Sequence, residues 1–172
     1  MALLTLSLGS NLQPALNIEK ALDGLAETFG ELRLSSVFES KAVGFDGGNF
    51  LNMVVATDTE LPLQQVSQLI KDLELRNGRV RGQARFSSRT LDIDILTLGD
   101  LCGEHNGIVL PRPEITENAY VLWPLSEICP DEVDPHSGRR YAELWSAYDR
   151  QRQALWPVDF FWRGQQISRA AV

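Results

Sequence analysis

The chain is expected to adopt an α+β fold, a ferredoxin-like antiparallel sheet with helices packed on it and an irregular C-terminal part, on three observations. Segments of alternating polarity and segments of helical periodicity follow in the order strand, helix, strand, strand, helix, strand, the split β-α-β pattern. The length, 172 residues, is about one domain's worth. The 44% apolar content is enough for one buried core.

Residues 3–8 alternate apolar and small polar side chains and stop at Gly9-Ser10-Asn11, a strand running into a turn. Leu16, Ala21, Leu22, Leu25 and Ala26 then recur at helical spacing, and Gly30 supplies the stop. Residues 32–41 and 50–57 read as two strands of an antiparallel hairpin, joined by a long, mobile, Gly-rich connection over 44–48. Pro62 opens a second helix that places Leu63, Val66, Leu69, Ile70 and Leu73 on one face and ends near Asn77-Gly78. Residues 91–95 form a short alternating strand. Beyond Gly99 the pattern is less regular: Pro111-Arg112-Pro113 is expected to be extended, 118–125 to pair with or pack on the sheet, and 141–148 to be a helix. Residues 1–156 are expected to form the domain. Residues 157–172 form a C-terminal tail whose aromatics, with Trp156, either cover an open flank or make a partner contact.

Sixteen Lys and Arg stand against 23 Asp and Glu, a formal charge of −7, which repels phosphate backbones and anionic lipid. Nucleic acid and membrane are therefore not expected partners. Among the cations, however, 13 are Arg and 3 are Lys, and Arg is the residue suited to bidentate grip on phosphate or carboxylate. Cys102 and Cys129 lack CxxC spacing and have only His105 and His136 for company, so a four-ligand zinc site is not expected and the thiols are expected to be reduced. Both histidines fall in apparent loops. The N-terminal stretch lacks a basic leader, and no apolar run approaches the ~18 residues of a membrane span, so a cytoplasmic location is expected.

Asp92 and Asp94 lie two apart on a strand, which puts both carboxylates on one face with Cα atoms ~6.5 Å apart, while Leu91, Ile93 and Ile95 face the core. Two carboxylates so close repel unless a cation intervenes, and a hard, oxygen-ligated ion such as Mg²⁺ suits them. A bare DxD also occurs as the solvated face of a half-buried strand. The preceding residues 76–89 carry five arginines among glycines and serines, a flexible loop rather than a helix face. Guanidinium groups beside a cation site fit a polyphosphate; the same arginines could equally pair with acids of this acidic chain. There is no GxxxxGK(S/T), GxGxxG, HRD, DFG or GxSxG, so nucleotide chemistry would need another scaffold.

Five segments in this order give the chain a specific likeness: Leu8-Gly9-Ser10-Asn11-Leu12, Phe50-Leu51-Asn52, Gly78-Arg79-Val80-Arg81, Arg89-Thr90-Leu91-Asp92-Ile93-Asp94-Ile95-Leu96 and Leu122-Trp123-Pro124-Leu125. On these the sequence resembles the 6-hydroxymethyl-7,8-dihydropterin pyrophosphokinase family over roughly residues 3–148. The resemblance implies transfer of pyrophosphate from ATP to the hydroxymethyl group of a reduced pterin, leaving AMP, in folate biosynthesis, with ATP as co-substrate and two Mg²⁺ ions. It implies that Asp92 and Asp94 hold the metals and that Arg79 and Arg89 grip the phosphates. Glu74, Arg81 and Arg112 fall at nucleotide-side positions. Asn52 would hydrogen-bond the pterin, Ser40 would face it, Val43 and Phe50 would wall its pocket, and Phe86 and Tyr120 would sandwich its ring. A monomer is expected.

Several positions depart from the family's pattern. Phe86-Ser87-Ser88-Arg89 lacks the usual Pro, Gly82 replaces a basic residue, and Ser40-Lys41 stands where Thr-Pro or Ser-Pro is usual. Arg112 replaces a nucleotide-contacting His, and Asn118 replaces an Arg. A diverged paralogue that binds pterin and nucleotide with altered or lost transfer is the alternative these departures raise. A ferredoxin-like RNA-binding module is a further alternative, opposed by the charge and by the lack of an aromatic RNA-binding motif.

Overall fold

Leu4, Leu6 and Leu8 are completely buried, and their alternation drives β1 (Ala2–Ser10) through the middle of the molecule. The computed structural model describes residues 1–41, 48–78 and 91–171. Pro14 opens α1 (Pro14–Phe29), which buries Ile18, Ala21, Leu22 and Leu25 and stops at Gly30, whose φ of 85° suits glycine. Leu16 of the expected helical stripe instead faces outward.

The strand expected over 32–41 is divided into β2 (Arg33–Leu34) and β3 (Val37–Ser40). The cause is Ser35: its amide donates to Val54 O at 3.0 Å, and its hydroxyl accepts from the Val54 amide at 2.9 Å. A side chain thus replaces a backbone carbonyl in the ladder, and the strand breaks there. β4 (Phe50–Thr59) runs two residues beyond expectation. α2 (Leu63–Arg76) buries Leu63, Val66, Ile70 and Leu73, and β5 (Asp92–Leu98) follows the second undescribed stretch.

The sheet order is β5-β1-β4-β3, all antiparallel, with β2 also on β4. This is the ferredoxin-like arrangement. Its outer edge is extended by β8 (Leu155–Val158), which pairs with β3 through Val37↔Val158 to Ser40↔Leu155. Between β5 and β8 the chain forms the hairpin β6 (Gly103–His105) and β7 (Ile108–Leu110), then α3 (Glu114–Glu117), α4 (Ala119–Ile128) and α5 (Tyr141–Ala147). His105 therefore ends a short strand rather than lying in a loop, with Nε2 3.0 Å from Cys102 O. Pro113 is helical in backbone (φ −59°, ψ −31°) and opens α3, so the Pro-Arg-Pro element is not extended throughout. Residues 119–128 pack on the sheet as a helix.

One sheet face carries α1 and α2 over Leu4, Leu6, Leu8, Met53 and Ile93. The other carries α4, whose Val121, Leu122 and Leu125 meet Val54, Ala56 and Leu96. Hairpin β9 (Phe160–Trp162) and β10 (Gln165–Ser168) follows β8. Phe160 is buried in the first cluster and the Trp162 indole donates to Asp23 at 3.0 Å, whereas Phe161 points outward. β8 crosses the point between 156 and 157 at which the sequence suggests that the domain ends.

Candidate active site

The register of the sheet builds a row of small and polar residues on the α4 face. Gly9 of β1 is paired with Asp92 of β5 on one side and Asn52 of β4 on the other, and Asn52 in turn is paired with Phe38 of β3. One step on, Ser7 is paired with Asp94. Because alternate residues of a strand share a face, Asp92 and Asp94 project together, and Phe50 and Asn52 project beside them. α4 begins only at Ala119 and covers the sheet beyond this row, so the row stays open as the floor of a cleft of about 570 Å³.

Asp92, Asp94, Asn52, Phe50, Ser40, Arg112 and Tyr120, all expected from the sequence as site residues, line this one cleft. Glu74 does not. Its Oε2 accepts the Ile93 amide at 2.9 Å, holding the strand between the two aspartates from the helix behind it. Arg79, Arg81, Phe86, Arg89 and Val43 lie outside the described residues.

Gly9 is there because nothing larger fits. A Cβ at that position would stand 2.7 Å from Asn52 Nδ2, and the Asn52 amide itself donates to Leu8 O at 3.5 Å. The glycine lets a buried Asn side chain lie flat across β1 toward the carboxylates.

Arg112 holds the other wall. Its Nε donates to Ile95 O at 3.1 Å, and its remaining nitrogens lie 3.6 Å from Asp94 Oδ1 and 3.9 Å from Glu114 Oε2. Glu114 Oε2 is buried without a hydrogen bond, so the cleft has more carboxylate charge than the described cations answer closely. The Tyr120 phenol feels it: burial first, then the charges of Asp94, Glu114 and Asp92, raise its pKa above the usual value. Tyr120 is accordingly a neutral, flat ring edge at physiological pH.

The sequence reading missed the far wall. Arg152, Gln153, Ala154 and Leu155 line the same cleft. Gln153 Oε1 accepts the Ala119 amide at 2.7 Å, capping α4 from 34 residues away, and its Nε2 donates to Asn118 Oδ1 at 2.9 Å. No local motif announces such a contact. A carboxylate pair, a hydrogen-bonding amide and aromatic edges around one open floor suit a ligand that is polyanionic at one end and flat at the other.

The family model described as 7,8-dihydro-6-hydroxymethylpterin-pyrophosphokinase (HPPK) matches residues 5–130. The 2-amino-4-hydroxy-6-hydroxymethyldihydropteridine pyrophosphokinase of Synechocystis is 35% identical over 154 residues, covering 88% of this chain and 77% of its own. That of Pseudomonas aeruginosa is 37% identical over 146 residues, covering 82% and 88%. The chain belongs to the HPPK family. In fold it is similar to the wild-type HPPK-DHPS of Plasmodium falciparum crystallised with pterin and p-hydroxybenzoate, at a TM-score of 0.70 and 13% identity, over 97% of this chain and 48% of that one. It thus spans about half of that solved chain.

Proposed function

We propose that this protein transfers the pyrophosphoryl group of ATP to the hydroxymethyl oxygen of 6-hydroxymethyl-7,8-dihydropterin. The pterin hydroxyl oxygen bonds to the β-phosphorus, the bond from that phosphorus to the α,β-bridging oxygen breaks, AMP leaves, and the hydroxyl proton passes to solvent. The observation that carries the reading is the row Asp94, Asp92, Gly9, Asn52: two carboxylates and an amide side by side on one floor, within the residues 5–130 that the family model matches.

Within that reading the pterin lies on the Asn52 side, between Phe50, Ser40 and Tyr120, with Val43 and Phe86 completing its pocket. Asn52 supplies a directed hydrogen bond, and the neutral Tyr120 ring supplies a stacking surface free of repulsion with an electron-rich heterocycle. Arg79 and Arg89 grip the phosphates, and Arg81 and Arg112 serve the nucleotide side. Glu74, through its bond to the Ile93 amide, fixes the strand that carries both aspartates. Attack at phosphorus needs alignment and charge neutralisation more than covalent catalysis, so fixed side chains can provide most of the acceleration.

The donor set fits Mg²⁺. Asp92 and Asp94 offer hard carboxylate oxygens on one face of a strand, and Glu114 adds a buried oxygen with no hydrogen bond in the same cleft. Among the described residues no cluster of three or more ligating side chains occurs, so nucleotide oxygens and water would complete the coordination. Two Mg²⁺ ions, when bound, supply neutralisation of the phosphate charge. No helix of the described residues is long and apolar enough to cross a membrane. On this reading the protein works in the cytoplasm, where ATP is available, and as a monomer.

AMP release measured with ATP, Mg²⁺ and 6-hydroxymethyl-7,8-dihydropterin, against controls lacking pterin or containing EDTA, tests the proposal. Pterin-dependent, EDTA-sensitive AMP is expected. AMP at the no-pterin rate would remove the reading.

A further inference from the structure

We infer that Arg152 is a further binding residue for the phosphate chain of the nucleotide, contributed by a C-terminal segment beyond the stretch that matches the family model. The inference rests on the activity proposed above and adds to it a residue that none of the sequence motifs contains.

Four observations converge on it. Arg152 lines the cleft that holds Asp92 and Asp94. Its position is built rather than incidental, because the neighbouring Gln153 is locked to Ala119 N at 2.7 Å and Asn118 Oδ1 at 2.9 Å, which fixes the backbone of the segment against the start of α4. The guanidinium lies 5.5 Å from the centre of the Tyr148 ring, and the Tyr148 hydroxyl donates to Glu117 O at 2.7 Å, so the platform under it is itself anchored. Finally, Arg152 makes no ion pair with a carboxylate among the described residues, whereas Arg112 is engaged by Asp94 and Glu114.

A stacked guanidinium whose donors are not taken by a carboxylate keeps them for a ligand, and stacking leaves its planar edge available for bidentate contact with phosphate oxygens. The cleft gives such a group a purpose. Its described carboxylates, Asp92, Asp94, Glu114 and Glu117, would repel a polyphosphate, and a lining cation that no described carboxylate pairs offsets that repulsion. Asn118 is neutral, and it is bonded to the residue next to Arg152. The positive charge of this wall is therefore delivered by the chain's C-terminal segment rather than by the start of α4.

The test is calorimetric titration of ATP and of adenosine, with Mg²⁺, into the wild type and into Arg152→Ala, Arg152→Lys and Arg150→Ala. Arg152→Ala is expected to weaken ATP binding by about 10- to 100-fold, the scale of a lost charge-assisted contact, with adenosine binding unchanged. Arg152→Lys should recover part of the loss. Arg150 stacks on Trp145 at 5.0 Å but does not line the cleft, so Arg150→Ala should bind ATP as the wild type does. Wild-type ATP affinity in Arg152→Ala, or an equal loss for ATP and adenosine, would each overturn the inference. Should Arg152→Ala lose its near-UV circular dichroism, Arg152→Gln, which keeps the polar stem without charge, carries the same comparison. Absence of pterin-dependent AMP release by the wild type would sink the proposed activity instead, so the two failures are separable.

Discussion

At one end of the sheet face beneath α4, Thr5 and Thr97 share a 2.6 Å hydrogen bond and are 1% and 8% exposed; at the other, Asp92 and Asp94 face an open cleft. Both ends are polar, and both have a hollow, the first of about 270 Å³ and the second of about 570 Å³. Around the smaller hollow the carboxylates Asp100, Asp131 and Glu132 come from turns and loops, and Asp131 is already paired with Arg140 at 3.1 Å. In the larger one the two aspartates are set by strand register, with Gly9 and Ser7 beside them keeping the floor low. The difference teaches that polar residues mark a site when the backbone fixes their mutual spacing and leaves room above them. Polar residues that satisfy each other are packing.

The comparison breaks most severely at the aspartates. Replacing Asp92 or Asp94 by Ala should lower pterin-dependent AMP release by about a thousandfold while the melting temperature changes little, since neither side chain is part of the core. Retained turnover would reduce the site end to the status of the threonine end. Next in size, Gly9→Ala forces a Cβ toward Asn52 Nδ2, 2.7 Å away, and should raise the KM for pterin by about 10- to 100-fold with a smaller change for ATP. An equal change for both substrates would place the damage in the sheet instead of at Asn52.

At the threonine end the expected effects fall on stability alone. Thr5→Val leaves the Thr97 hydroxyl buried without its partner and should cost about 1–2 kcal/mol in denaturant unfolding, with AMP release unchanged. Thr5→Val with Thr97→Val together should recover most of that loss, because neither position then holds an orphaned hydroxyl. The smallest effect is alkaline. Burial, then the charges of Asp134, Cys129 and Glu132, raise the Tyr141 pKa in the folded state above that of the unfolded chain. The folded protein holds this proton more tightly, so the stability is fully present below about pH 10 and is lost as pH climbs through the folded pKa, by at most about 1.4 kcal/mol per pH unit for this group. Melting temperatures at pH 8 and 10.5 should show the decline, and Tyr141→Phe should make it shallower; an identical slope in the variant would assign it elsewhere.

These two ends were not equally legible in the sequence. Strand alternation put Asp92 and Asp94 on one face, because local periodicity dictates which way a strand residue points; Asn52, Tyr120 and Arg112 came from the family resemblance, and the structure brings all three to the same cleft. The break at Ser35 escaped notice, since a hydroxyl standing in for a carbonyl leaves the apolar pattern unchanged. The helical start of α3 at Pro113 was misread for a related reason: proline fixes φ but permits more than one ψ. The wall formed by 152–155 was illegible altogether. Its place depends on the pairing of β8 with β3, and on a glutamine that caps a helix 34 residues upstream, contacts decided by tertiary packing alone.

That capping glutamine has a consequence in time. The floor of the cleft is made by β1, β4 and β5, all present once residue 98 has been synthesised, while the wall waits for residues 152–155. A nascent chain therefore holds Asp92, Asp94 and the Asn52 amide long before it holds Arg152 or a capped α4. The cleft is completed by residues more than fifty positions downstream of its floor, and a chain arrested between residues 98 and 152 keeps the floor while lacking that wall.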